Sequence, residues 1–379
     1  MRRIIFWTHF VFGLMAGLFI LSMSVTGVLL TYERQMVAGA RAAAVERPDG
    51  AEPMDADALV AAALEAGAAP GNTLTLSSDP GAPVQLSKGR RDQVWLNPYT
   101  GEAMEEPGHA LEAFFSRVEQ IHRWLAFTGK RNETLAAMNA AANLVFGGLL
   151  LSGIFLWWPK AWRWPIVKAQ LFFRQGLPNA KARHYNWHHV LAVWSLVPLA
   201  AIVLSGAVFS YGWANSLVYA AFGEKVPQRG RPPGGAEVAA EAGPAPAEIA
   251  SYDLLVAQAT GDKANWKRVT LTLPAPEDAD FAVTVDHGNG VQASKQKVLR
   301  LARDGSGPRA EAGAAPASPA SKARRFIRFL HTGEIFGVLG QTIAGLASLA
   351  SVVLVYTGIS LAIRRLIRMR KAAQAAAAK

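Results

Sequence analysis

The sequence predicts a mainly α membrane protein, a four-helix transmembrane bundle with two small α+β domains on one face. Three observations carry this reading. Four stretches lack Asp, Glu, Lys and Arg, at 4–32, 134–159, 184–223 and 335–363, and each exceeds the ~20 apolar residues that cross a bilayer core. The segments linking them alternate between wholly basic and mixed charge. The two mixed segments, beginning at Glu33 and Glu224, each show one helical pattern followed by short runs of strand-like alternation.

The transmembrane helices are placed at 4–32, 134–159, 184–211 and 331–363, with Ile335 opening the last charge-free run. Gly212 to Gly223 reads as an interfacial extension. The first run is too long for the h-region of a signal peptide and ends in Thr31-Tyr32-Glu33-Arg34 rather than a small-residue cleavage site, so a retained helix is expected.

Charge sets the expected orientation. Arg2 and Arg3, the 160–183 loop and the 364–379 tail together hold 14 basic residues and no acidic one, leaving 25 Lys and Arg against all 28 Asp and Glu elsewhere. By the positive-inside rule the basic face is cytoplasmic, with both termini inside. Trp157, Trp158, Trp162 and Trp164 flank the inner end of the second span as an interfacial belt. The net charge of +11 is therefore a topology signal and gives no support to nucleic-acid binding. Only 18% of residues are charged, below the ~25% usual in soluble domains. The chain has no cysteine, which excludes disulfides, thiolate metal sites and covalent haem attachment through Cys.

Outside the spans, domain 33–133 reads as a helix at Asp55 to Ala66 with strands at Thr73 to Leu76, Val84 to Leu86 and Gln93 to Leu96. Domain 224–325 repeats the pattern, with a helix at Tyr252 to Ala259 and strands at Trp266 to Leu273, Phe281 to Val285 and Lys297 to Leu301. Pro227 to Pro246 and Gly305 to Ser321, rich in Ala, Gly and Pro, read as flexible linkers.

The eight histidines are not scattered. His9 lies five residues past Ile4, and His188 five past Arg183, so at 1.5 Å rise both sit about 7 Å inside the same charge boundary. Two neutral imidazoles facing each other at one depth make a bis-His haem iron site. His189 competes with His188, because adjacent helical residues point about 100° apart and only one can face His9. His122, ahead of span 2, and His331, ahead of span 4, form a second pair at the opposite face. Arg123, Arg325 and Arg328 are near them in sequence as partners for haem propionates. Taken singly, His109, His184 and His287 read as capping or snorkelling residues.

Several segments resemble one family. They are Phe6-Trp7-Thr8-His9 through Thr26-Gly27-Val28-Leu29, Gln120-Ile121-His122-Arg123, Ser152-Gly153-Ile154-Phe155-Leu156-Trp157-Trp158-Pro159, Asn186-Trp187-His188-His189-Val190-Leu191 and Leu330-His331-Thr332-Gly333-Glu334-Ile335-Phe336-Gly337. The chain resembles the PepSY-associated transmembrane-helix proteins, a bacterial inner-membrane group that includes iron-regulated membrane proteins and dihaem ferric-siderophore reductases. Val94 to Gly101 looks like the strand and turn of a PepSY unit. The resemblance implies two PepSY-like periplasmic domains and two non-covalent b-type haems, one on His9 and His188 at the cytoplasmic side and one on His122 and His331 at the periplasmic side. It prefers His188 over His189 because the family's motif sets its His three residues before the Leu matched by Leu191. Ala192 departs from the family, standing where many relatives have Gly.

The expected function is a haem-b electron-transfer protein, a membrane oxidoreductase of ferric-reductase type. It would pass electrons to a periplasmic ferric siderophore or other ferric complex for iron acquisition. No dinucleotide fingerprint is present, so the electron donor is a separate cytoplasmic reductase or a quinol. The competing expectations are a non-redox scaffold regulating a periplasmic protease and an iron or haem permease.

Overall fold

The computed structural model describes residues 1–89, 92–227, 248–261, 265–310 and 318–378. Its helices are α1 (Arg2–Leu29), α2 (Glu33–Ala43), α3 (Ala56–Glu65), α4 (His109–Trp124), α5 (Glu133–Trp157), α6 (Trp164–Leu171), α7 (Ala180–Ser210), α8 (Gly212–Ala220), α9 (Tyr252–Thr260), α10 (Pro319–His331) and α11 (Gly337–Ala377). Its strands are β1 (Thr73–Ser77), β2 (Val84–Ser87), β3 (Gln93–Leu96), β4 (Ala103–Met104), β5 (Arg268–Thr272), β6 (Asp280–Asp286), β7 (Gln296–Ala302) and β8 (Pro308–Ala310). Two compact units result: Met1–Tyr32, Phe114–Val226 and Ala320–Lys379 form one, Glu33–Ala113 and Pro227–Pro319 the other.

In the first unit, α1, α5, α7 and α11 are long and apolar enough to cross a membrane. Helix α1 touches α5 and α11, and α7 touches the same two, closing a four-membered ring. Leu18, Leu151 and Val197 are 73%, 72% and 77% exposed on its outside, which suits lipid and not water. Inside, Ala16, Ile20 and Ala142 form one cluster and Leu199, Ala347 and Leu354 another. Interior polar groups pair across helices, which hydrocarbon favours: Ser24 Oγ donates to Ser351 Oγ at 2.8 Å and Asn143 Nδ2 to the Val203 carbonyl at 3.0 Å. This is a multi-pass membrane protein.

The sequence correctly locates these helices but not all of their ends. Asn132 and Asn179 cap α5 and α7 by accepting from the amides of Leu135 and Ala182. The last span starts at Gly337, six residues past His331, because the chain breaks between α10 and α11. Gly333 makes the break: its φ is +76°, and a Cβ there would lie 2.2 Å from the Gly340 carbonyl oxygen, a position open only to glycine. The basic tail from Arg364 is not a loose segment up to Ala377 but continues α11.

The second unit is built on one antiparallel sheet of order β4-β3-β2-β1-β5-β6-β7-β8. The strands expected as two separate domains instead form one continuous sheet, joined edge to edge by β1 and β5, with Leu74 opposite Leu271 and Leu76 opposite Val269. All four side chains are buried and pack with Leu59, Val60 and Ala63 of α3 and Leu255 of α9 in one core. The palindromic strand order places α3 and α9 as counterparts, and their N-termini cap each other. Asp57 accepts from the Tyr252 amide at 2.7 Å, and Asp253 accepts from the Ala56 amide at 2.8 Å. Part of the second expected linker is ordered: β8 and the start of α10 fall within Gly305 to Ser321. A three-residue edge strand is too short to show alternation. Most of the other linker, 228–247, and residues 311–317 lie outside the described residues, as does Lys379.

The cap on α9 gives a pH prediction. Partial burial pushes the Asp57 carboxyl up, but the hydrogen bonds from Ser251 Oγ and the Tyr252 amide outweigh it and hold the carboxyl below its ordinary value. A depressed folded pKa means the stabilisation is present above the ordinary carboxylate pKa and lost as pH falls through the folded one. Hydrogen exchange on the full chain should therefore show α9 amides losing protection in acid, beyond the intrinsic pH trend. Asp57→Ala should show the loss already at neutral pH. Equal protection in variant and wild type would remove the cap's role.

Candidate functional site

The second sequence-predicted pair is brought together. His122 sits in the last turn of α4 and His331 ends α10, so each closes an amphipathic helix just before a spanning one. Their ring centroids are 6.3 Å apart at an interplanar angle of 70°. Two metal–imidazole bonds of about 2 Å, plus about 1 Å from each nitrogen to its ring centre, give about 6 Å. The His122 backbone is pinned by Asn139, whose Nδ2 donates to the His122 carbonyl at 2.9 Å.

At the other end of the bundle, His9 on α1 and His188 and His189 on α7 lie within electrostatic reach of one another. All four predicted rings are half-buried. His188 and His189 differ in their anchors. His188 Nδ1 is 3.0 Å from Thr357 Oγ1 on α11. His189 Nδ1 donates to the Tyr185 carbonyl of its own helix, with its ring stacked on Tyr185 at 4.1 Å.

The four predicted imidazoles share one hydrogen-bond pattern. His9 Nδ1 meets Ser152 Oγ at 2.8 Å, His122 Nδ1 meets Thr26 Oγ1 at 2.9 Å, and His331 Nδ1 meets Ser205 Oγ at 2.9 Å. In every case the hydroxyl also bonds a carbonyl one turn back in its own helix: Gly148, Ser22, Ala201 and, for Thr357, Val353. A hydroxyl has one proton. With that proton on the carbonyl, the oxygen accepts from the imidazole Nδ1–H, so Nε2 keeps its lone pair. For His331 the Ile202 carbonyl, 3.0 Å from Nδ1, enforces the same tautomer because a carbonyl only accepts. Each ring thus presents a bare nitrogen and is oriented from a second helix, as metal-ligating histidines are.

These hydroxyl residues are what sequence reasoning missed, yet they carry a signal. Each spanning helix holds one of them, directly before a glycine: Thr26-Gly27, Ser152-Gly153, Ser205-Gly206 and Thr357-Gly358. Helix α1 and the α4–α5 segment exchange partners through His9 with Ser152 on α5 and Thr26 with His122 on α4. Helix α7 and the α10–α11 segment do the same through His188 with Thr357 on α11 and Ser205 with His331 on α10. The spanning bundle is a duplication, each half supplying one histidine to each pair. Three of the glycines lie against the rings. A Cβ on Gly27, Gly153 or Gly358 would lie 3.6, 3.7 or 3.4 Å from Cε1 of His122, His9 or His188. Gly206 departs from this pattern and faces Asn143.

Of the arginines expected near the second pair, Arg123 is paired with Glu119 at 2.9 Å and lies over Trp124. Arg325 and Arg328 line a cleft of about 510 Å³ with Arg324 and Tyr219. Among the described residues, no group of three or more His, Asp or Glu is placed to hold a bare metal ion. Two imidazoles per site suit a metal whose other positions are already filled, as in haem. His109 pairs with Glu106 on the surface, and His184 is buried with its Nδ1 2.8 Å from Ser360 Oγ of α11 and its ring against Tyr356.

No curated protein matches the chain. A family model does, over residues 6–365, spanning all four membrane helices, the sheet and every histidine above; the chain belongs to the PepSY-associated TM region family.

Proposed function

We propose that this protein is a transmembrane electron conduit. It binds one b-type haem between His9 and His188 and a second between His122 and His331, and delivers electrons across a bacterial inner membrane to a ferric siderophore or similar ferric complex. The observation that carries the reading is the repeated anchor: four imidazoles, each held through Nδ1 by a back-bonded hydroxyl, so that four bare Nε2 atoms remain. Haem iron with both axial positions filled by imidazole exchanges electrons without binding O2.

The chain's own groups do the rest. Ser152 and Thr357 hold the tautomer and tilt of the first pair, and Thr26 and Ser205 those of the second. The apolar ring of helices keeps water from both. Arg325 and Arg328 supply cationic charge one to two turns from His331, where carboxylates of a bound haem need partners. The basic loop and tail support a cytoplasmic first pair and a periplasmic second one by the positive-inside rule. A ferric chelate reduced there loses affinity for its hard oxygen ligands, so iron is released without hydrolysis.

An absorption spectrum of the purified protein before and after dithionite tests this. A low-spin b-type spectrum at about two haems per chain is expected. A colourless protein from haem-replete cells would remove the proposal.

A further inference from the structure

A cleft of about 660 Å³ opens where the 172–177 segment leaves α6 and crosses α7 and α11. Its floor is Trp187 and Leu191 of α7 with Val353 of α11, and its rim carries Phe173, Arg174 and Arg183. We propose that this cleft is a binding site for one anionic phospholipid, its phosphate between Arg174 and Arg183 and its acyl chains along Leu191 and Val353. The inference stands apart from the haem reading.

Three observations carry it. The first is charge. Neither Arg174 nor Arg183 has an acidic partner among the described residues, and the 160–183 segment has no Asp or Glu. Arg183 instead lies over the Trp187 ring at 5.8 Å. Two guanidiniums left without counter-charge at the end of a spanning bundle suit a phosphate diester, and basic pockets between transmembrane helices recognise such headgroups.

The second is that the wall is built. Asn186 is buried on α7, 5% exposed. Its Nδ2 donates to the carbonyls of Ala169 and Phe172 at 2.9 and 3.1 Å, and its Oδ1 accepts from the Arg174 amide at 2.9 Å. One helical residue thus ties down the segment that carries Arg174. Trp194 adds a fourth tie, its Nε1 donating to the Leu171 carbonyl at 2.8 Å. Neither tie touches the histidine pairs, so the motif residue Asn186 is left with this wall as its role.

The third is the floor. Trp187, Leu191 and Val353 belong to helices that face lipid, so the cleft is apolar below its cationic rim. Free phosphate would find only the rim. A lipid fills both parts, which commits the site to a membrane-derived ligand. Trp187 and Leu191 flank His188 in sequence, and the Val353 carbonyl accepts from Thr357, the residue that anchors His188. The cleft is one helical turn from that imidazole.

Native mass spectrometry of the full-length protein, delipidated in detergent and then offered phosphatidylglycerol or phosphatidylcholine, tests the site. Wild type should retain one phosphatidylglycerol and exclude phosphatidylcholine. The double variant R174Q/R183Q should bind phosphatidylglycerol about tenfold or more weakly. The double variant K168Q/K181Q removes the same charge from the same loop outside the cleft and should bind as wild type does. Equal losses in the two double variants would reduce the effect to surface charge and overturn the site. So would equal retention of both lipids, or displacement of phosphatidylglycerol by millimolar inorganic phosphate. Circular dichroism and gel filtration of each variant exclude misfolding as the cause.

Discussion

If the proposed pairing holds, His331→Ala should leave the purified protein with about one haem per chain where wild type should hold about two, and His9→Ala should do the same at the other pair. Each variant removes one of the two imidazoles proposed for its site, and the hydroxyls that anchored the lost rings are already committed to carbonyls. The double variant His9→Ala/His331→Ala should be colourless. His189→Ala should keep both haems, because His189 is anchored only within its own helix while His188 is held from α11. Haem per chain, measured by extraction and corrected for protein, checks all four. Two haems retained in either single variant would refute the pairing, and one haem lost in His189→Ala would move the ligand from His188 to His189. Because the rings are only half-buried, substitution by alanine leaves the ring of helices packed, and thermal melts should show it.

The second large effect falls on residues that touch no cofactor. Thr357→Val keeps the shape of the side chain but removes the acceptor of the His188 Nδ1–H, and outer-shell losses of this kind cost about 10- to 100-fold in affinity for the metal group. Ser152→Ala should act likewise through His9. A merely structural role would change melting and leave the spectrum alone. A positioning role moves the reduction potential and the axial-ligand bands of the retained haem, and Thr357→Ser restores them. The matching variant at the opposite pair, Ser205→Ala, should be milder, because the Ile202 carbonyl still accepts from His331 at 3.0 Å. That ordering, Thr357 before Ser205, is a test the hydrogen-bond geometry makes by itself. If the two variants behave alike, the Ile202 carbonyl is not a substitute acceptor.

Much of this architecture is legible from residue type alone. Charge-free runs mark the spans because a charged group inside the bilayer is costly, and all four coincide with long helices. Strand positions in both halves of the sheet follow from alternation, since β1 and β5 each bury Leu or Val at every second residue. The four histidines stand out because ionisable residues near spans are rare. What alternation does not reveal is that β1 and β5 are neighbours. An edge strand's partner is set by which apolar face it completes, and Leu74 meets Leu271 across about two hundred residues. The amphipathic helices α4 and α10 also escaped the sequence reading. Each carries a histidine in its last turn.

The sequence by itself determined that the chain crosses a membrane four times, which face is basic, and which histidines occupy the two ends. Those properties are sums over local residues, and hydropathy and charge add along a chain. Only the tertiary structure decided which hydroxyl meets which imidazole, and with it the tautomer. It also gave His188 and His189 different anchors, Thr357 of α11 for the first and the Tyr185 carbonyl of its own helix for the second. The Ser/Thr-Gly step recurs in every span, yet only packing shows why. In three of the four spans the glycine lies against a histidine ring, and in all four the hydroxyl beside it accepts a hydrogen bond from a ring's Nδ1–H.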